Sequence, residues 1–274
     1  MNTELNHLVP MDFENAVDVP DSHTWVDPPC FNSSSSDKSV VPFIDLDDPQ
    51  AVEKIKTACE NWGVFQVSNH GVPLELLGEI EHQAHRFFAL PREQKILTLR
   101  SPGIPARPSY GIILASCVYK NLMWMEGFTV FETPVEQARL VWPEDHSPFY
   151  TAVDHYQEQL MGLAIKINSL IFKALGLPEE DVDWLKSKNT SAFLHFNSYP
   201  KCPDPTQALG MVPHTDSSLI TLLYQSNTNS GLQVFRPNKK WVDVKPIPDA
   251  LVVNVSDMMQ IFSNGQFKSV KHQA

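Results

Sequence analysis

Lysine and arginine are scarce in this chain, 21 against 32 aspartates and glutamates, for a formal net charge of −11. Binding a phosphate backbone needs a basic face that releases counterions, so the deficit argues against a nucleic-acid partner. Cysteine is scarce as well. Cys30, Cys59, Cys117 and Cys202 lie far apart and form no CxxC pair, which disfavours both a disulfide framework and a thiolate zinc site; reduced, mostly buried thiols are expected. No run of about 18 apolar residues is present, so no segment is read as spanning a membrane. The stretch from Met1 to Pro20 carries Glu4, Asp12, Glu14 and Asp18 but no lysine or arginine. It therefore lacks the basic start of a signal peptide and the arginine-rich character of a transit peptide, and the cytosol is the default compartment.

What is present is ordinary globular composition: 42% hydrophobic and 19% charged residues over 274 positions, enough for one large domain or for a small N-terminal lobe wrapped against a larger core. A monomer is expected. Residues 1–39 hold several prolines, the run Ser33–Ser36 and no sustained apolar period, and are read as a mobile or loosely docked leader. VVPFID over 40–45 predicts a short strand, and Asp48-Pro49 predicts a helix start. Val52, Ile55, Cys59 and Trp62 recur at helical spacing, closed by Gly63 before a strand at Val64–Val67. A second helix follows Pro73, with Leu77, Ile80, Ala84, Phe87 and Phe88 inward. Residues 91–147 mix prolines with apolar stretches such as Ile112–Leu114 and Gly127–Phe131, and support no detailed assignment. Ser147-Pro148 opens a long scaffold helix whose stripe runs from Val153 to Leu175 and stops at Gly176.

After Phe193 the period changes from helical to two. Strands are predicted at 193–199, 219–225, 232–236, 241–244, 250–255, 258–263 and 267–272. Helices first and strands second is the α+β pattern, a helical or mixed N-terminal half packed on a curved antiparallel sheet. The chain divides into a leader (1–39), an N-terminal region (40–145), a scaffold helix with linker (146–190) and a sheet core (191–274).

The chemistry is carried by His214-Thr215-Asp216 and by His272. In an extended segment residues two apart share a face, so His214 and Asp216 can address one point. Two imidazoles and a carboxylate on one side of a metal form the facial triad of non-haem ferrous oxygenases, which leaves the opposite side open. A structural zinc site would close all four positions and recruit thiolates, which are not nearby. Alone, an H-x-D triplet recurs by chance, and a lone His or Asp more often serves a cap or turn. Among the other histidines, His70 in NHG reads as a turn residue, and His82 and His85 share a helix with no third ligand in reach. Packing is the favoured reading of the aromatic stretch Trp124–Phe131, with a substrate-pocket lining as the alternative.

FNSYPKCPDP, LGMVPHTDSSLITLLYQ, GLQVF, WVDVKPIPDALVVNVSD and SNGQFKSVKH between Phe196 and His272, with ACENWGVFQVSNHGVP at 58–73, resemble the plant 2-oxoglutarate-dependent dioxygenases. KNLMWMEGFTVF (120–131) and VWPEDH (141–146) resemble most the gibberellin 3-beta-hydroxylases within that family. The resemblance implies a distorted double-stranded β-helix, or jelly roll, supported by the long helix, with His214, Asp216 and His272 holding Fe(II). It implies 2-oxoglutarate as cosubstrate, ascorbate as an auxiliary, dioxygen, and hydroxylation of a gibberellin precursor at carbon 3 with succinate and carbon dioxide as co-products. Tyr199 and Asn197 match the N-x-Y motif, whose tyrosine binds the cosubstrate carboxylate; from the residues alone both read equally as ordinary inward polar groups. Another plant dioxygenase acting at a different position or on a phenolic substrate, and a non-catalytic fragment, stay open as alternatives.

The chain departs from the family at its end. An Arg-x-Ser motif, whose arginine would pair with the far carboxylate of 2-oxoglutarate, is expected about ten residues after His272, whereas the chain ends at Ala274; Lys271 and Gln273 stand where an apolar residue and an arginine are expected. A sheet lacking that strand is expected to expose edge groups and to be prone to aggregation. Arg236 is a cation that sequence alone does not place at the site.

Overall fold

The computed structural model describes residues 9–25, 40–99, 109–111, 119–131, 134–186, 192–226, 231–236 and 240–274. The run Ser33–Ser36, the stretch Ile112–Leu114, Cys30 and Cys117 lie outside them. Two compact units are formed, neither of which follows the linear division made above: Met1–Cys30 with Pro73–Glu158 and Ala192–Met211, and Phe31–Val72 with Gln159–Ser191 and Val212–Ala274.

In the first unit, β3 (Ser109–Gly111), β4 (Glu126–Val130) and β5 (Leu194–Ser198) form an antiparallel sheet with Gly127 opposite Asn197 and Phe128 opposite Phe196. Helix α2 (Leu74–Phe88) starts after Pro73 as expected and buries Leu76, Leu77, Ile80 and Phe87. Phe87 meets Phe128 with ring centroids 4.6 Å apart, and Phe149 meets Trp142 at 5.1 Å. Two short helices, α3 (Arg92–Lys95) and α4 (Val135–Val141), lie with β3 and β4 among the described residues of 91–147, for which the sequence supports no detailed assignment. Lys95, Glu126 and Tyr110 make a buried polar knot: the Lys95 ammonium reaches the Glu126 carboxylate at 2.8 Å, and the Tyr110 hydroxyl donates to it at 2.5 Å.

The leader expectation is corrected for residues 9–25. Phe13 packs edge-on to Trp124 at 5.0 Å, the Trp25 N–H donates to the Gln207 carbonyl at 2.8 Å, and the Leu122 N–H donates to the Ser22 carbonyl at 2.7 Å. Proline content and the lack of a period exclude a regular element there. They do not exclude an irregular strap held by one buried aromatic ring and backbone hydrogen bonds.

In the second unit, β1 (Phe43–Asp45), β2 (Val64–Ser68), β6 (Ile220–Tyr224) and β9 (Leu251–Val255) form a sheet in the order β1-β2-β9-β6, and β7 (Gln233–Phe235), β8 (Trp241–Asp243) and β10 (His272–Gln273) form another in the order β10-β7-β8. Their facing sides share one valine-rich cluster that includes Val64, Val252, Val234, Val242, Val244 and Val270. Burying each such side chain stabilises by about 1.5–3 kcal/mol. Strands of the N-terminal half thus belong to the main sheet, so helices and strands are less segregated than the sequence suggests. Helix α1 (Ala51–Asn61) buries Ala51, Ile55, Ala58 and Cys59, and burial pushes the Cys59 thiol well above its usual value. Gly63 closes it at φ +69°, a conformation glycine adopts without a Cβ penalty.

Helix α5 (Ser147–Ala174) is the predicted scaffold helix; Phe149, Val153, Tyr156, Leu163, Ile167 and Ile171 are buried along it, and Gly176 ends it at φ +80°. No helix among the described residues is long and apolar enough to cross a membrane.

Two predicted strands are corrected. Residues 258–262 fall in α6 (Asp257–Phe262), with Ser263 at its C-terminal cap, and Asp257 and Met258 start it by donating their N–H groups to the carbonyls of Asp216 and Ser218. Those bonds, made to a segment forty residues away in sequence, draw the backbone into a turn that a period-two reading cannot anticipate. In the stretch 267–272 only His272 belongs to a strand; the Lys268 N–H is taken by the Cys59 carbonyl and the Val270 N–H by the Val255 carbonyl, so no regular ladder forms before it.

Candidate metal centre

His272 opens β10 directly opposite Val234, and His214 bridges back to His272 through paired backbone bonds of 2.9 Å in both directions. Directly opposed residues in an antiparallel pair project from the same face. Val234 belongs to the valine cluster between the sheets, so both imidazoles project toward that interior. Asp216 lies two residues beyond His214 and, unlike the bridged His214, belongs to no regular strand. It still converges: Asp216 Oδ1 is 3.6 Å from His214 Nε2 and 3.7 Å from His272 Nε2, and one ligand atom from each residue lies within 4.8 Å of the others.

The outer nitrogens are fixed by the backbone. His214 Nδ1 sits 2.8 Å from the Val212 carbonyl and His272 Nδ1 3.1 Å from the Val270 carbonyl. A carbonyl only accepts, so each Nδ1 carries the proton and each Nε2 presents its lone pair inward, the arrangement of metal-ligating histidines. Burial, and then the neighbouring His214, hold His272 below the ordinary imidazole value, which keeps it in the neutral form a metal needs. Asp216 Oδ2 is buried with no hydrogen-bond partner among the described residues. A buried carboxylate oxygen without a donor is costly, and a divalent cation beside it removes that cost. The donor set, two imidazoles and one carboxylate with no thiolate, fits ferrous iron with open positions.

Asp257, which the sequence did not single out, ties the ligand segments together. Its carboxylate accepts from Ser269 Oγ at 2.6 Å, three residues before His272, and from Thr215 Oγ1 at 3.2 Å, between the other two ligands; its own N–H donates to the Asp216 carbonyl at 2.8 Å. No local pattern marks it, because its partners are remote in sequence.

The remaining candidates are placed plainly. Tyr199, just past β5, and Asn197, on it, belong to the first unit and are exposed, Tyr199 to 46%. Arg236 is engaged elsewhere: its guanidinium stacks 3.6 Å from the Trp62 ring centroid and donates to the Asn61 carbonyl at 2.6 Å. His70 sits in a turn between Asn69 and Gly71, both at positive φ, and its ring links the Val72 N–H to the Asp249 carbonyl. His82 and His85 are exposed on α2 and join no ligand cluster among the described residues. Trp124 and Phe128 are core residues at 3% and 0% exposure.

Residues 190–274 match the 2OG-Fe(II) oxygenase superfamily, and residues 41–148 match the family described as non-haem dioxygenase in morphine synthesis, N-terminal. Gibberellin 3-beta-dioxygenase 3 of Arabidopsis thaliana is 40% identical over 98% of this chain and 78% of its own length. Gibberellin 3-beta-dioxygenase 1 of Pisum sativum is 42% identical over 98% of this chain and 74% of its own. Among solved structures, JOX2 in complex with 2OG, Fe and JA superposes with a TM-score of 0.79 at 33% identity, covering 94% of this chain and 75% of that one. The jelly-roll architecture, the open two-histidine, one-carboxylate cluster and relatives matched along nearly the whole chain agree on one assignment: the chain belongs to the iron(II)- and 2-oxoglutarate-dependent oxygenases.

Proposed function

We propose that this enzyme hydroxylates a gibberellin precursor at carbon 3, on the β face. The observation that carries the reading is the convergence of two imidazole nitrogens and one carboxylate oxygen within 4.8 Å, on a chain 40–42% identical to gibberellin 3-beta-dioxygenases over almost its whole length. Ferrous iron with 2-oxoglutarate supplies the oxidising power, which takes one oxygen atom of dioxygen into a C–H bond as the cosubstrate leaves as succinate and carbon dioxide. The protein's residues do the holding. His214 and His272 offer their Nε2 atoms because the Val212 and Val270 carbonyls hold a proton on the far nitrogen. Asp216 offers the one negative charge, which offsets part of the cation's own. With all three ligands on one side, the other side is left for cosubstrate and dioxygen.

Tyr199 is assigned to a carboxylate of the cosubstrate through its phenol hydroxyl, with Asn197 beside it as a support. Desolvation pushes its phenol well above the ordinary value, so the hydroxyl stays protonated and can donate to a carboxylate. Ascorbate, as a reductant that keeps the metal ferrous, a monomeric state and a cytosolic location complete the reading.

The test is mass spectrometry of the purified chain with ferrous iron, ascorbate, 2-oxoglutarate and a panel of gibberellin precursors. Product 16 mass units heavier, formed in step with succinate, is the expected result (one oxygen atom gained, about 16 Da). Turnover of JA-type substrates with none of gibberellins would replace the substrate assignment while keeping the chemistry. Absence of metal binding would remove both.

A further inference from the structure

Asn254, on the central strand β9, is fully buried, and neither its carboxamide nitrogen nor its carboxamide oxygen has a hydrogen-bond partner among the described residues. Its strand neighbours across β9 are Val64 and Thr221, and Val252, two residues earlier on the same face, packs in the valine cluster between the sheets. His272 stands opposite Val234 of that same cluster, so Asn254 and the two imidazoles project into one interior from opposing sheets. The end of β9 that carries Asn254 is also the end that meets the ligand segments. Val255 accepts the Val270 N–H at 3.1 Å, and two residues further on Asp257 donates to Asp216 at 2.8 Å.

A carboxamide placed among valines with both ends unmet is destabilising unless something polar completes it. From these observations we infer that Asn254 is a positioning residue of the metal centre: its carboxamide hydrogen-bonds the oxygen ligand on the metal's open side, water in the resting protein and the keto-acid cosubstrate when present. The inference rests on the functional reading above for the metal and on the register and burial of β9 for the residue. It assigns Asn254 no role as a metal ligand and no contact with the substrate carbon.

The test uses cobalt(II) as a visible probe, in the wild type and in Asn254→Val, which suits a buried strand, and Asn254→Ser, which restores a hydroxyl able to donate and accept. Three readings are taken: melting of the metal-free protein, the d–d spectrum with cobalt alone, and its change as 2-oxoglutarate is added. The inference expects Asn254→Val to melt at or above the wild type, because an unmet polar group has been removed, and to bind cobalt within about threefold, because no ligand is lost. It expects an altered cobalt band and a cosubstrate dissociation constant raised about tenfold or more, with partial recovery in Asn254→Ser. If the wild type binds cobalt but 2-oxoglutarate does not move its band, the cobalt-only spectra decide: a changed band in Asn254→Val supports the inference, superimposable bands overturn it. Lower melting of metal-free Asn254→Val and Asn254→Ser with unchanged spectra assigns a purely structural role and overturns it as well. A wild type that takes up no cobalt overturns the metal reading itself, and this inference with it.

Discussion

Replacing Asp257 with alanine should loosen the metal centre without touching a ligand. The carboxylate accepts from Ser269 Oγ at 2.6 Å and from Thr215 Oγ1 at 3.2 Å, and alanine removes both bonds while keeping the backbone bond to Asp216. A hydrogen bond to a charged acceptor contributes about 1.5–3 kcal/mol. The short, half-buried Ser269 bond belongs in that range; the longer Thr215 bond, made by an exposed residue, belongs nearer about 0.5 kcal/mol. Roughly 2–3.5 kcal/mol of local fixing is therefore at stake, divided between the fold and the site. Loss of a group that orients metal ligands typically lowers metal affinity about 10–100-fold, equivalent to about 1.4–2.8 kcal/mol. Cobalt titration in competition with a chelator reads the site's share, and melting of the metal-free protein reads the fold's. Asp257→Asn, which keeps one acceptor and the shape, should fall between wild type and alanine. Wild-type cobalt affinity in Asp257→Ala would show that His214, Asp216 and His272 are held without this tie, and the reasoning would be wrong.

Gly63→Ala should be among the more damaging single-methyl changes in the chain. Gly63 holds φ +69°, and an added Cβ would overlap the Lys268 carbonyl oxygen and lie 3.2 Å from the Val270 Cβ. Backbone, rather than a flexible tip, must move, so a loss of about 3 kcal/mol or more is expected by chemical denaturation, with an unchanged midpoint as the refuting result. Lys95→Met should cost about 3–5 kcal/mol, because Glu126 is left buried with the Tyr110 hydroxyl as its side-chain partner among the described residues. That corresponds to melting lowered by roughly 6–20 °C. The double change Lys95→Met with Glu126→Gln should recover much of the loss, since no uncompensated charge then remains; a double variant as unstable as the single one would refute the account.

Local readings succeeded where neighbours in sequence decide the structure. The stripe from Val153 to Leu175 announced α5 because residues three and four apart share a face whatever lies beyond the helix, and Gly176 announced its end because positive φ is cheap there. Strands β6 to β9 were legible from their period-two apolar pattern for the same reason. Readings failed where a remote partner decides. The apolar run Met258–Phe262 alternates well enough for a strand, yet bonds from Asp257 and Met258 to Asp216 and Ser218 turn it into a helix. The N-terminal strap has no period to read, and its place is set by Phe13 against Trp124 and by backbone bonds to residues up to 182 positions away.

Residue type and spacing were enough to name a candidate donor set. His214, Asp216 and His272 can be named from residue type, spacing and resemblance, because metal preference depends on the ligand atoms available, and two imidazoles with one carboxylate and no thiolate nearby limit the choice. Only the tertiary structure decided that the three meet. A separation of 56 positions between Asp216 and His272 specifies no distance until strand pairing brings His272 opposite Val234 and beside His214. The same pairing decided which nitrogens face inward, through the Val212 and Val270 carbonyls. It also turned Asp257 into a tie between the candidate ligand segments and left Asn254 buried on the facing sheet with no partner for its carboxamide among the described residues. Those roles arise from register between strands, and register is set by long-range packing that no window of neighbouring residues contains.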